Sequence, residues 1–293
     1  MTTSEFELDA MRRAISLSAF GLGSASPNPP VGCVILDRDG QPVGEGFHER
    51  KGEPHAEVNA LAAAGERARG GTAVVTLEPC NHFGRTPPCH QALIDAGVVR
   101  VLIAVIDPTS RGVGGVARMR EAGVEVEVGV LAEEAEVVLR PWLGALHNRR
   151  PRVTWVCEVG AAGPTAIRRQ QFDVLALCAG ADAVLDDGGK LKEGRPGRHS
   201  ADVFSLSDEV GDDPVQALRA LYEAGVRTLL LDGGPDLAVQ FVGGGVLDEI
   251  RLYVGETAPS GAPPTSGPLL PGGFRIRSIS RVAEGIVVVA TIP

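Results

Sequence analysis

One imidazole, two thiols and a carboxylate stand in this chain at spacings that suit a hydrolytic zinc site. His55-Ala56-Glu57 supplies the imidazole and the carboxylate; Pro79-Cys80 and then Cys89 supply the sulfurs. Three protein ligands leave the fourth tetrahedral position of zinc open to water, as catalytic sites need and closed structural sites avoid. Zinc brings the pKa of that water down to about 7, so a nucleophile exists at neutral pH. Glu57 lies two residues beyond His55 at an expected helix start, near the metal without having to ligate it. It is the candidate catalytic acid and base. A lone His-x-Glu is more often a surface histidine beside a solvated acid. Here the strand-like run Gly71–Leu77 leads into Glu78-Pro79-Cys80, and a second cysteine follows, which favours the metal reading.

The elements expected to position these groups alternate. An amphipathic helix is predicted over 5–22, with Phe6, Met11, Ile15, Leu17 and Phe20 supplying much of its apolar surface. Two strands, 31–37 and 41–47, flank the turn Asp37-Arg38-Asp39-Gly40 as a hairpin. Further helices are expected at 55–68, 87–96 and 131–147, and near 119–121 a helix ends. Strands are expected at 72–78, 98–106 and 124–128. This alternation implies a three-layer α/β/α sandwich with the site at strand ends.

A boundary is placed at Asn148-Arg149-Arg150-Pro151, giving domains 1–148 and 149–293. The second half repeats an α/β pattern: strands at 152–157, 183–185, 227–231 and 248–254, and helices around 168–179, 214–224 and 235–242. A Gly/Pro/Ser-rich loop at 255–273 precedes two last strands, 274–280 and 286–292.

With 293 residues, the chain is long enough for two medium domains. A net charge of −9 argues against a nucleic-acid partner, which would call for a basic face. No apolar run approaches the roughly 20 residues of a membrane span, and no signal peptide is expected at the acidic start. Five cysteines without disulfide-like spacing fit a reducing, cytoplasmic setting. Cys33, Cys157 and Cys178 fall in apolar segments and are expected to be buried hydrophobes.

The His-x-Glu and Pro-Cys pattern is similar to that of the zinc deaminases of bases and nucleotides. Longer motifs narrow the likeness. Pro27-Asn28-Pro29-Pro30-Val31-Gly32, Gly44-Glu45-Gly46-Phe47-His48, Gly52-Glu53-Pro54-His55-Ala56-Glu57-Val58 and the stretch from Leu77 to Cys89 resemble the riboflavin-pathway bifunctional deaminase/reductase family. The long spacer between Cys80 and Cys89 resembles that family more than cytidine-type deaminases. The resemblance implies a cytidine-deaminase-like first domain that binds Zn2+ through His55, Cys80 and Cys89. It implies as substrate a pyrimidine nucleotide, 2,5-diamino-6-ribosylamino-4(3H)-pyrimidinone 5′-phosphate. Asn28, held rigidly between prolines, would hold polar atoms of the ring, while His48 and His82 line the pocket. Asp107 would contact the ribosyl or phosphate end, and Arg85 is the cationic candidate for the phosphate. Thr109 departs from the family, which usually has Asn there.

For the second half the resemblance implies a dihydrofolate-reductase-like α/β domain that uses NADPH. The chain departs from the pattern: positions expected to hold Lys, Ser and Asp are Val156, Gly160 and Ala162. A Gly-x-x-Thr-x-x-x-Asp-x-Pro element is reduced to Asp186-Asp187-Gly188-Gly189-Lys190, and the domain is short. Loss of polar groups at a hydride-transfer site removes the orientation on which catalysis depends. The domain is therefore expected to be a truncated, degenerate reductase kept for packing or assembly. Gly233-Gly234, between a strand and a helix, is the remaining candidate for a cofactor phosphate. A homo-oligomer is expected, a dimer through the C-terminal domain being one form. Three alternatives stay open: a deaminase of a related aminopyrimidine, a still bifunctional enzyme, and a zinc-stabilised scaffold. An unligated Glu57 speaks against the scaffold.

Overall fold

A computed structural model describes residues 3–82, 87–109, 114–160, 163–166, 172–198, 213–255, 270–282 and 285–292. The chain divides into two compact units, Met1–Arg140 and Pro141–Pro293.

The first unit opens with helix α1 (Glu5–Ser18). Ser4 and Glu7 form its capping box: each side chain bonds the other residue's backbone N–H. The predicted hairpin forms as β1 (Gly32–Leu36) and β2 (Pro42–Phe47), followed by α2 (Ala56–Ala64), β3 (Thr72–Leu77) and α3 (Cys89–Asp95). Then come β4 (Arg100–Val105), α4 (Gly115–Glu121), β5 (Glu125–Val128) and α5 (Ala132–Asn148). The sheet order is β2-β1-β3-β4-β5, with β3, β4 and β5 parallel and β1 antiparallel to both its neighbours.

The central strands are buried on both faces, which is why they read as near-continuous apolar runs. One face, with Val34, Leu36, Val74 and Leu102, packs against Ala10, Met11, Ala14 and Leu17 of α1 and Ala135 of α5. Helix α2 lies against β1 and β2, with α3 beside it and α4 beside α3. The unit is the expected three-layer sandwich. Helix α2 approaches the hairpin unusually closely because both sides are small. A β-carbon on Gly44 would stand 2.2 Å from the Ala60 carbonyl oxygen, and one on Gly46 would stand 2.5 Å from that of Ala56. This contact fixes the start of α2, where His55 and Glu57 sit.

A charged cluster ties α1 to the far side of the sheet. Arg100 is buried and bonds Glu7 at 3.0 Å, Glu127 at 2.7 Å and also Glu125. Burial alone would raise the Glu7 carboxyl, but hydrogen bonds from Ser4 and the Arg100 guanidinium outweigh it and leave the pKa lowered. A depressed folded-state pKa stabilises the fold above the unfolded value, roughly 4.3, and that stability is lost as pH falls through the folded value. Thermal melts taken from about pH 6 to about pH 3 should show Tm falling more steeply in the parent than in Glu7→Gln. Parallel curves for the two proteins would refute the assignment.

The second unit continues with β6 (Arg152–Gly160), β7 (Gly163–Ala166), α6 (Phe172–Gly180), β8 (Ala183–Asp186) and β9 (Leu191–Glu193). It ends with α7 (Pro214–Ala224), β10 (Thr228–Asp232), α8 (Pro235–Gly243), β11 (Glu249–Gly255), β12 (Arg275–Val282) and β13 (Gly285–Thr291). Strands β8, β10, β6 and β11 run parallel in the middle of an eight-stranded sheet, and β9, β13, β12 and β7 add antiparallel pairings.

Three strands, β6, β7 and β9, depart from the sequence reading. Strand β6 runs three residues beyond the expected end at Cys157, and β7 pairs back on it, with Cys157 opposite Ala166 and Gly160 opposite Gly163. The β-branched Val156 and Val159, with Cys157 between them, carry β structure through the segment whose reductase motif is missing. Strand β9 forms because Asp186 closes a tight turn: its Oδ1 accepts the backbone N–H groups of Gly188 and Lys190. Cys33 and Cys157 are fully buried, as expected; Cys178 is only partly so. Most of the predicted 255–273 loop lies outside the described residues. Among those described, no helix is long and apolar enough to cross a membrane.

Candidate active site

The site is assembled at the start of α2, the start of α3 and the segment after β3. His55 is the N-cap of α2 with extended backbone, and its carbonyl accepts the Asn59 N–H at 3.1 Å. The Asn59 side chain in turn donates to the Phe47 carbonyl at 2.9 Å, which fastens the helix to the end of β2. Cys89 is the first residue of α3, whereas Cys80 lies in non-helical chain after β3. The four groups therefore come from two helix starts and one strand-end segment, not from helix starts alone.

His55, Cys80 and Cys89 each offer a ligand atom, and all three atoms lie within 4.8 Å of one another. Cys89 Sγ is 3.3 Å from His55 Nδ1, and the Cys89 N–H points at Cys80 Sγ, also at 3.3 Å. The Cys89 thiol's hydrogen bond holds Cys80 well below the ordinary thiol range; burial opposes this, and His55 and the Cys89 N–H reinforce it. Cys89 is pushed up by that same bond and by burial. One imidazole beside two cysteine sulfurs, partly shielded from water, is a donor set that fits zinc.

Glu57 sits in the first turn of α2 and is only 3% exposed. Burial pushes its carboxyl up to about 7, against the opposing pull of His55. A helix N-terminus ordinarily favours a charged carboxylate; here desolvation wins.

A narrow cavity collects Asn28, His48, His55, Glu57, Glu78, Cys80 and Asp107. His48 is buried; that burial drives its pKa down to about 4, so the ring is neutral. The Pro54 carbonyl, 3.1 Å from Nδ1, can only accept, which places the ring proton there. Nε2 must then accept from the Asn28 amide nitrogen, 3.1 Å away. The amide's orientation follows: its nitrogen faces His48, and its oxygen is the acceptor end.

Asp107 is buried, and its Oδ1 accepts the Thr109 N–H at 2.8 Å. That bond uses backbone, so Thr in place of Asn leaves it unchanged. His82 is exposed and is not among the residues lining the cavity, and Arg85 lies outside the described residues. Glu78, noticed in the sequence only as part of Glu-Pro-Cys, is buried. It accepts N–H groups from Val116, at 3.2 Å, and from Asp107. It joins the Cys80 segment to the Asp107 wall and to the start of α4. Gly233 and Gly234 belong to the second unit, where Gly234 is the N-cap of α8 and its N–H is taken by Asp187 Oδ1 at 2.6 Å.

Residues 4–105 match the model of the cytidine and deoxycytidylate deaminase zinc-binding region, and residues 190–288 match the RibD C-terminal domain. The chain is 37% identical to the riboflavin biosynthesis protein RibD of Mycobacterium tuberculosis over 287 residues, 84% of each chain. It is 48% identical to RibD of Escherichia coli over 158 residues, a match spanning 43% of that protein's length. Among solved structures, the Thermotoga maritima diaminohydroxyphosphoribosylaminopyrimidine deaminase/5-amino-6-(5-phosphoribosylamino)uracil reductase superposes with a TM-score of 0.80 at 26% identity, covering 98% of this chain and 99% of that one. Acinetobacter baumannii RibD superposes at 0.77 with 28% identity, covering 99% of both.

Proposed function

Because this chain belongs to the RibD family of riboflavin biosynthesis proteins, we propose that it hydrolytically deaminates the diaminopyrimidinone ribosyl phosphate at a zinc ion and has lost the paired reductase activity. The observation that carries the deaminase part is the convergence of His55, Cys80 and Cys89 beside a buried Glu57.

When bound, zinc supplies Lewis acidity that makes water nucleophilic at neutral pH. The protein's own groups do the rest. A Glu57 carboxyl poised near 7 holds or releases a proton with little cost, so it can take one proton from water and pass it to a ring nitrogen, then take the proton of the hydroxyl added to the ring and pass it to the departing amine. Neutral His48 fixes the Asn28 amide, which presents an oxygen to a donor on the ring. Asp107, also in the cavity lining, offers a carboxylate to sugar hydroxyls.

The reductase part rests on Val156, Gly160 and Ala162 standing where the resemblance calls for polar groups. Purified chain given the diaminopyrimidinone phosphate and NADPH should release ammonia and leave NADPH unoxidised. Absence of ammonia would refute the first part, and product-dependent NADPH oxidation the second. A second reading, deamination of a related aminopyrimidine, is motivated by Thr109. It would be favoured if a panel of aminopyrimidines, with and without ribose phosphate, were turned over faster than the diaminopyrimidinone phosphate.

A further inference from the structure

The lost reductase activity, on which this inference rests, has a local physical cause at the start of α8. A glycine turn leading into a helix presents backbone N–H groups and a partial positive charge, the arrangement that receives a dinucleotide phosphate. In this chain the position is filled from within. Asp187 Oδ1 accepts the Gly234 N–H at 2.6 Å. A β-carbon built on Gly233 would stand 2.2 Å from that same oxygen, so the carboxylate occupies the space the turn leaves. The Asp186 turn holds it there, since Asp186 is itself bonded to Gly188, Lys190 and Lys192.

The adjoining cavity, about 470 Å³, is lined by Asp187, Asp236, Gly234 and Gln240 among others, and no Lys or Arg is among its described lining residues. A phosphate entering would meet two carboxylates and, among the described lining residues, no cation. NADPH does not fit this donor set. We infer that Asp187 is an internal anion standing in for a cofactor phosphate at α8, and that it closes the cavity to NADPH.

The test uses the full chain, the variants Asp187→Asn and Asp187→Ser, and two probes, NADPH and inorganic pyrophosphate. Asn keeps the shape and removes the charge; Ser also opens the space. The parent should show no saturable binding of either probe up to about 1 mM, and Asp187→Ser should bind both at least about tenfold more tightly, with Tm raised by pyrophosphate in the variant alone. If Asp187→Ser misfolds, Asp187→Asn carries the comparison, with ammonia release reporting that the first unit is intact. Saturation of the parent at micromolar NADPH would overturn the inference, as would variants that bind no better than the parent. NADPH bound without being oxidised defeats this inference alone, whereas product-dependent oxidation defeats the lost-reductase reading.

Discussion

Replacing Glu57 by Gln should leave zinc bound and the fold intact while deamination falls about 10²–10⁴-fold, the range that a positioned acid/base contributes. Gln has the shape of Glu and retains an acceptor oxygen but cannot carry the proton. The residue is almost wholly buried in the first turn of α2, so no solvent network stands ready to replace it. Its pKa near 7 is set first by burial, which makes both protonation states available in one catalytic cycle. Zinc stoichiometry by elemental analysis, circular dichroism and ammonia release together separate this from loss of metal or fold. Turnover equal to the parent would mean that another group moves the proton.

Replacing Cys89 by Ala should empty the metal site, with activity falling by more than about a thousandfold because water then keeps its ordinary acidity. Cys89 is 2% exposed and contributes in two ways: its sulfur lies against His55 Nδ1, and its backbone N–H supports Cys80. The variant retains the second contribution and loses the first, leaving two donors, too few for a catalytic zinc site. Dialysed variant should carry close to no zinc, and a chelator should bring the parent to the same low rate. A variant that holds one zinc per chain after dialysis would remove Cys89 from the ligand set.

How much of this was legible beforehand depends on the range of the interaction. The sandwich of the first unit was readable because its central strands, β1, β3 and β4, are short apolar runs and α1 carries a local start signal in Ser4 and Glu7. The grouping of His55, Cys80 and Cys89 was suggested by residue type and spacing, and the fold brings the three together. The role of Glu78 was not readable. Its partners, Val116 and Asp107, lie tens of residues away, and nothing in Glu-Pro-Cys says which amides it meets. The same holds for Asp187, whose neighbours in sequence spell only a turn while its carboxylate reaches Gly234 beyond the end of the neighbouring strand β10. Strand β7 was not readable because Gly163-Pro164-Thr165-Ala166 spells a turn rather than a strand, and only its pairing with β6 makes it extended.

The glycine-on-alanine seam between β2 and α2 bears on how this protein tolerates change. Gly44 and Gly46 touch no reactant, yet any larger residue there would push the helix bearing His55 and Glu57 off the sheet. A saturation library screened for turnover should therefore mark these two positions as nearly as intolerant as the metal-binding ones. Efforts to redirect specificity would do better to vary the residues around Asn28 and Asp107.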